Sequence, residues 1–505
     1  MFLMEKSSLK ERIIRNSFWA FASSFASRLG ALIFTIILAR FLLPERFGVY
    51  SLVLSTAMIF YTFADLGINS TMIRYVSHAL CKDKKKVSSY YRYLLKLKFL
   101  LTTAVSALLL ILAYPLAFYV FKNPESFLPF LVASIYIFIM SFDSFYTSMF
   151  YIAEKVKYIS IRELLSQILR ILLVLAVFYL VAASYQVVGI FASLALMSLL
   201  MLLFVFYYIR KFIPEIFAKP KEEIEIDKLK LLRFASYLTI AGISGTLFSY
   251  VDSVMLGIFL KAEFIGYYRA AFSLVNGVMA FILAPTAILL PFFTKLRKEK
   301  TEYLLENIFR YSSIIAIPAS FGLMLLGKYF IRFFYSYDYL PASLPLSFLA
   351  FLIIPAVYTS VLFYLFSARE KPQVYAKIIV ATSIINAVLN FIFIKALIPV
   401  SSIWATTGAG IATLISWFAY FVLAVYFAKK ELKIKISFTH VIKPLFASLV
   451  MAGVLLYLQR NIPDMTFASG LLHILLGAAI YFAILFLVGG IRMSDIKMIK
   501  FLRGI

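Results

Sequence analysis

Long apolar runs alternate with short polar connections along the whole chain. Fourteen such runs stand out, at 17–39, 47–70, 99–121, 127–151, 164–183, 187–209, 234–258, 265–293, 308–330, 344–367, 374–398, 406–428, 441–458 and 470–490. Each approaches the length of about 20 residues that a helix needs to cross a bilayer. None shows the period-two alternation of a barrel strand. In hydrocarbon only a helix or a closed barrel satisfies its own backbone polar groups. The pattern therefore predicts an all-α polytopic membrane protein with about 14 transmembrane helices.

Charge adds sidedness. Of the 50 Lys and Arg, 39 lie in or beside the two termini and the even-numbered connections, and 8 in or beside the odd-numbered ones. Basic residues gather on the cytoplasmic side of a membrane protein, so both termini are expected there. The remaining three, Arg28, Arg170 and Arg269, lie deeper within spans. The net charge of +26 then reflects loops such as Lys82–Lys86 and Lys295–Lys300 meeting anionic lipid headgroups. Scattered basic loops of this kind argue against nucleic acid as a partner. The first run is too long for a signal-peptide core and reads as a retained span. The single cysteine, Cys81, falls in a cytoplasmic loop, which excludes an intrachain disulfide and a cysteine metal cluster.

An internal repeat divides the chain. LARFLLPERFGVYSLVLS from Leu38 matches LGIFLKAEFIGYYRAAFS from Leu256, with identities Phe41/Phe259, Leu42/Leu260, Glu45/Glu263, Gly48/Gly266, Tyr50/Tyr268 and Ser55/Ser273. A second echo pairs Glu154-Lys155 with Glu370-Lys371. Six spans separate the copies, an even number, so both halves have the same orientation. Parallel repeats of this kind are a transporter signature.

Polar residues inside spans are candidates for function, because an intramembrane charge is expensive. Arg28 shares a helical stripe with Ala20, Ser24, Ala31 and Thr35, opposite a greasy face of Phe18, Phe21, Phe25, Leu29, Leu32 and Ile36. It either lines a cavity or pairs with Asp65, Asp143 or Asp252. Arg170, beside Glu163, Ser166 and Gln167, either faces the same cavity or snorkels to the surface. Arg269 lies near a span end, where snorkelling is the simpler reading. Asp252 shares a small-residue stripe with Gly242, Gly245 and Ser249, a face suited to close helix packing. Asp252 and Asp143 are candidates for pairing an arginine or carrying a coupling proton or sodium ion, and Asp65 for structural pairing. Asn386 and Asn390 share a helix face and suit interhelical hydrogen bonding or substrate contact. Catalytic signals are weak: His78, His440 and His473 are dispersed, and there is no metal-ligand spacing and no Walker-type phosphate loop. An enzyme is not expected.

The chain resembles the polysaccharide transporter family, the Wzx-type oligosaccharide flippases of the multidrug/oligosaccharidyl-lipid/polysaccharide exporter superfamily. The resemblance rests on Ala39-Arg40-Phe41-Leu42, Pro44-Glu45-Arg46-Phe47-Gly48-Val49-Tyr50 and Ala64-Asp65-Leu66-Gly67-Ile68. It continues in Tyr250-Val251-Asp252, Gly266-Tyr267-Tyr268, Asn386, Asn390-Phe391-Ile392-Phe393-Ile394 and Gly408-Ala409-Gly410-Ile411-Ala412-Thr413. It implies two parallel-repeat six-helix lobes around a central cavity, with a MATE-like fold. These would be 1–210 (spans 1–6) and 234–430 (spans 7–12), joined by a cytoplasmic linker, 211–233. Residues 431–505 would supply accessory spans 13 and 14 and a tail.

It further implies a monomeric flippase in a prokaryotic cytoplasmic membrane, without a cofactor beyond possible H+ or Na+ coupling. The expected cargo is a polyprenyl-(di)phosphate-linked oligosaccharide, moved from the cytoplasmic to the outer leaflet by alternating access. Anionic membrane lipids, a glycan polymerase and glycosyltransferases of the same pathway are the candidate partners. Arg28 stands where peptidoglycan-precursor flippases of the superfamily carry a cavity arginine. Leu29 follows it here in place of an acidic residue, which leans away from peptidoglycan precursors. The alternatives are a lipid II flippase, an ion-coupled exporter of organic cations with the same fold, and a membrane glycosyltransferase. A positively lined cavity speaks against the cation exporter, and short external connections speak against the transferase.

Overall fold

The computed structural model describes residues 9–217, 226–283, 286, 289–461 and 467–491. Glu222, Glu223 and Glu225 of the linker and the tail from residue 492 lie outside the described residues. The chain is helical almost throughout, with no strand among the described residues. Thirteen helical segments among them are long and apolar enough to span a bilayer.

The first of these segments holds two spans. Helix α1 (Leu9–Asp65) runs for 57 residues, but Leu43 breaks it with φ 60 and ψ 171 immediately before Pro44. A straight helix of that length would extend about 85 Å at 1.5 Å per residue, far beyond any bilayer. The bend turns the chain back where spans one and two were expected to meet. Proline suits the first turn of the second half, where its missing N–H leaves no bond unmade. At the far end Leu66 and Gly67 take positive φ (41 and 71) and α2 (Ile68–Lys82) begins.

The remaining order is α3 (Lys85–Pro115), α4 (Phe127–Ile152), α5 (Val156–Leu180), α6 (Gln186–Phe212), α7 (Lys228–Phe259), α8 (Ala262–Leu283), α9 (Leu289–Lys295) and α10 (Lys298–Phe334). Then come α11 (Ser343–Leu349), α12 (Ile353–Ala368), α13 (Pro372–Leu397), α14 (Ser402–Leu432), α15 (Ile442–Asn461) and α16 (Phe467–Leu487). Of the eighth expected span, α8 and α9 are the described parts. The tenth comprises α11 and α12.

The second repeat echo is a backbone identity. Glu154 and Glu370 both have φ 55. Lys155 N–H donates to the Phe150 carbonyl at 2.9 Å, and Lys371 N–H donates to the Phe366 carbonyl at 2.9 Å. Each turn closes the preceding helix by a six-residue, left-handed cap.

The chain forms two compact units, Met1–Arg269 with Ile379–Phe391, and Ala270–Ile378 with Ile392–Ile505. The first has a core of Met72, Val76, Tyr91, Phe145, Met149, Phe150 and Val205, from α2, α3, α4 and α6. The second has a core of Phe293, Phe309, Tyr358, Leu362, Phe366 and Tyr420, from α9, α10, α12 and α14. In that unit α15 and α16 dock on α10 through Ala447, Met451, Leu455, Tyr481 and Leu485. The Tyr481 hydroxyl donates to the Ile314 carbonyl at 2.8 Å.

Candidate functional site

The intramembrane carboxylates of the first unit have partners, and none is Arg28. Lys98 Nζ lies 2.8 Å from Asp65 Oδ1, with the lysine side chain fully buried and that of Asp65 25% exposed. Lys98 heads a buried stripe on α3 with Thr102 and Ser106. Thr102 shares a 2.9 Å hydrogen bond with Ser141 on α4. Arg162, at the start of α5, pairs with Asp143 on α4 and with Glu163 at 3.2 Å. Removing one member of a buried pair strands the other, at about 3 kcal/mol. Asp65→Ala is therefore expected to lower the unfolding temperature, and Asp65→Ala with Lys98→Met to recover most of it, as read by thermal unfolding in detergent.

Asp252 is the centre of a second buried cluster. Helix α7 places it against α8 and α13. The Tyr268 hydroxyl donates to Oδ2 at 2.5 Å and the Asn390 amide to Oδ1 at 2.6 Å. Asn390 also donates to the Asn386 carbonyl, one turn earlier, at 3.0 Å. Asp252 is 2% exposed, while Asn386, Asn390 and Ser253 are fully buried. The Asn390 Oδ1 and Ser253 Oγ atoms are buried without a hydrogen-bond partner. The spare Asn390 oxygen belongs to the side chain that donates to the Asp252 carboxylate. The i, i+4 spacing of Asn386 and Asn390 puts both amides on the α13 face that meets Asp252.

The three intramembrane arginines differ. Arg28 is exposed on α1. The side chains of Ala20 and Ser24 from its expected stripe lie outside the described residues. Arg170 is held on α5 by Gln167, whose own amide donates to Glu163 at 2.8 Å. The Arg170 guanidinium stacks 4.3 Å from the Phe34 ring of α1, and its Nε is buried without a partner. Arg269 lies 5.2 Å over the Tyr250 ring of α7. Arg170 packs on the Phe34 ring of α1 and Arg269 on the Tyr250 ring of α7, while the asparagines gather at Asp252.

Sequence reasoning passed over Tyr50, Tyr268, Lys98 and Arg162. Tyr50 and Tyr268 are equivalent positions of the repeat, both are buried, and Tyr268 serves the Asp252 centre. That equivalence was a usable signal. Lys98 and Arg162 were counted as loop charges. The four-residue spacing of Lys98, Thr102 and Ser106 marks the buried polar face to which Lys98 belongs.

Apolar spans, a parallel repeat and buried polar centres define a multi-pass membrane protein of transporter type. A family model described as polysaccharide biosynthesis protein matches residues 13–297, more than half of the chain, and a model of the lipid II flippase MurJ matches residues 266–476. The chain belongs to the polysaccharide biosynthesis protein family.

A probable low-salt glycan biosynthesis flippase of Haloferax volcanii is 24% identical over 271 residues, covering 53% of this chain and 56% of that protein. The chain thus spans little more than half of that relative's length. An uncharacterized membrane protein of Methanocaldococcus jannaschii is 23% identical over 445 residues, covering 84% of this chain and 86% of its own. Among solved structures, the lipid II flippase MurJ in an inward closed conformation superposes with a TM-score of 0.73 at 17% identity, over 92% of this chain and 97% of that one. An inward-facing multidrug resistance MATE family transporter gives 0.60 at 13% identity, over 86% and 98%. The fold is MATE-like.

Proposed function

We propose that the protein is a flippase for a polyprenyl-(di)phosphate-linked oligosaccharide, which it moves from the cytoplasmic to the outer leaflet by alternating access. The observation that carries this reading is the charge balance of the first unit. Of its intramembrane carboxylates, Asp65 and Asp143 are neutralised by Lys98 and Arg162, and Asp252 accepts from Tyr268 and Asn390. Arg28 and Arg170 keep guanidinium groups with no ion pair to a described carboxylate. An intramembrane guanidinium left in that condition faces the bundle interior, a water-filled cavity or a ligand. Guanidinium binds phosphate oxygens in pairs and suits a diphosphate better than an ammonium does. The same positive charge repels organic cations, so it disfavours the exporter alternative.

Family membership supports the cargo class, and the repeat supports 1–210 and 234–430 as the two bodies that exchange access. The relatives and the charge asymmetry support a prokaryotic cytoplasmic membrane with both termini inside. The Asp252 cluster is the candidate seat of H+ or Na+ coupling.

Native mass spectrometry of the purified protein tests this. The wild type is expected to retain a polyprenyl-diphosphate-linked oligosaccharide in preference to organic cations, and Arg28→Ala and Arg170→Ala to retain less of it. Binding of cations with indifference to the glycolipid would overturn the proposal.

A further inference from the structure

The α1 bend and the α7–α8 corner meet more closely than side chains allow. A Cβ added to Gly48 would lie 1.7 Å from the Ala262 carbonyl oxygen, and one added to Gly266 would lie 2.2 Å from the Pro44 carbonyl oxygen. The contact is reciprocal and follows the repeat. Pro44 corresponds to Ala262, and Gly48 to Gly266, at the same spacing of 218 positions. Each glycine sits one helical turn after the residue that its partner touches. Each helix therefore offers its first turn to the other, a small residue and a glycine four positions apart, which is the spacing that lets helix backbones approach closely.

The corner lies at the end of the spans that carries few basic residues. Beneath it Leu52 packs against Gly257, where an added Cβ would lie 2.4 Å from Leu52 Cδ1. Glu45, Lys122, Glu125 and Lys261 rim a pocket of about 500 Å³ over this floor.

We infer that Gly48 and Gly266 form a reciprocal latch that closes this end of the protein and sets how often it opens. The first repeat supplies one half and the second repeat the other. The contact is backbone on backbone, so no side-chain rearrangement accommodates even a methyl group. Separation of the two corners relieves the clash. A methyl at either glycine thus disfavours the closed corner and leaves the separated one untouched, which shifts the population between them.

The test uses purified protein in nanodiscs, in a Cys81→Ser background, with Leu52→Cys as reporter. Leu52 is 1% exposed, so its cysteine is expected to react slowly with a maleimide. Gly48→Ala or Gly266→Ala is expected to raise the labelling rate about tenfold or more, as for a minor open state made dominant, and to abolish most transport. Labelling needs no cargo, so its result stands apart from the assignment of the glycolipid. Equal labelling rates in variants that remain monodisperse would overturn the latch.

Should either alanine variant fail to fold, Glu45→Cys with Lys261→Cys gives the complementary measurement. A reducible cross-linker joining the two is expected to stop transport, and reduction to restore it. Full transport while joined, or failure to join cysteines that each react singly, would overturn the inference.

Discussion

Arg170→Ala is expected to lower transport by about two orders of magnitude while the protein still folds. Truncating a buried, hydrogen-bonded charge costs about 2–5 kcal/mol of binding when a ligand is its counter-charge, and about 1.4 kcal/mol corresponds to tenfold. Gln167 and the Phe34 ring fix the guanidinium without neutralising it, so no buried carboxylate is stranded by its loss. Arg170→Lys keeps the charge and loses the planar fork and the stacking face. It is expected to retain part of the activity. The measurement is glycolipid transport in proteoliposomes, with unfolding temperature as the control. Wild-type transport by Arg170→Ala would remove this residue from the anion site. Loss of transport together with loss of the folded protein would assign it a packing role.

Asp252→Ala is expected to fail differently. The carboxylate accepts from Tyr268 and Asn390 in a fully enclosed site. Two buried donors would lose their acceptor, at about 1–3 kcal/mol each. A lower unfolding temperature should therefore accompany loss of transport. Asp252→Asn keeps an acceptor oxygen in place and removes the charge that a proton or sodium ion would meet. It is expected to fold, and to transport without responding to an imposed pH or sodium gradient. The comparison is transport by wild type and Asp252→Asn with each gradient present and collapsed. Gradient-driven transport by Asp252→Asn would exclude this carboxylate as the coupling group.

The two variants probe centres that were unequally visible in the sequence. Arg28, Arg170, Arg269 and Asp252 stand out because a charge within an apolar run is rare on energetic grounds alone. Their partners do not stand out. Lys98 adjoins a basic loop in sequence, yet it lies fully buried against Asp65. Arg162 opens a helix after a charged turn, and it is the counter-charge of Asp143. Hydropathy treats such residues as solvent-facing because it averages over neighbours along the chain. Burial depends on neighbours across helices.

The number of spans and the parallel repeat were determined by the sequence alone. Each follows from short-range physics: the length of a helix across hydrocarbon, and turn residues that recur in both halves. The recurring Glu154 and Glu370 turns share one backbone conformation because a helix cap is closed by residues within six positions of one another. The tertiary structure alone decided how the charges pair and that Tyr268 and Asn390 meet at Asp252. It also decided that Gly48 and Gly266 each meet the other's helix. Those features depend on groups remote in sequence coming within contact distance, and no pattern along a single helix specifies which remote group arrives.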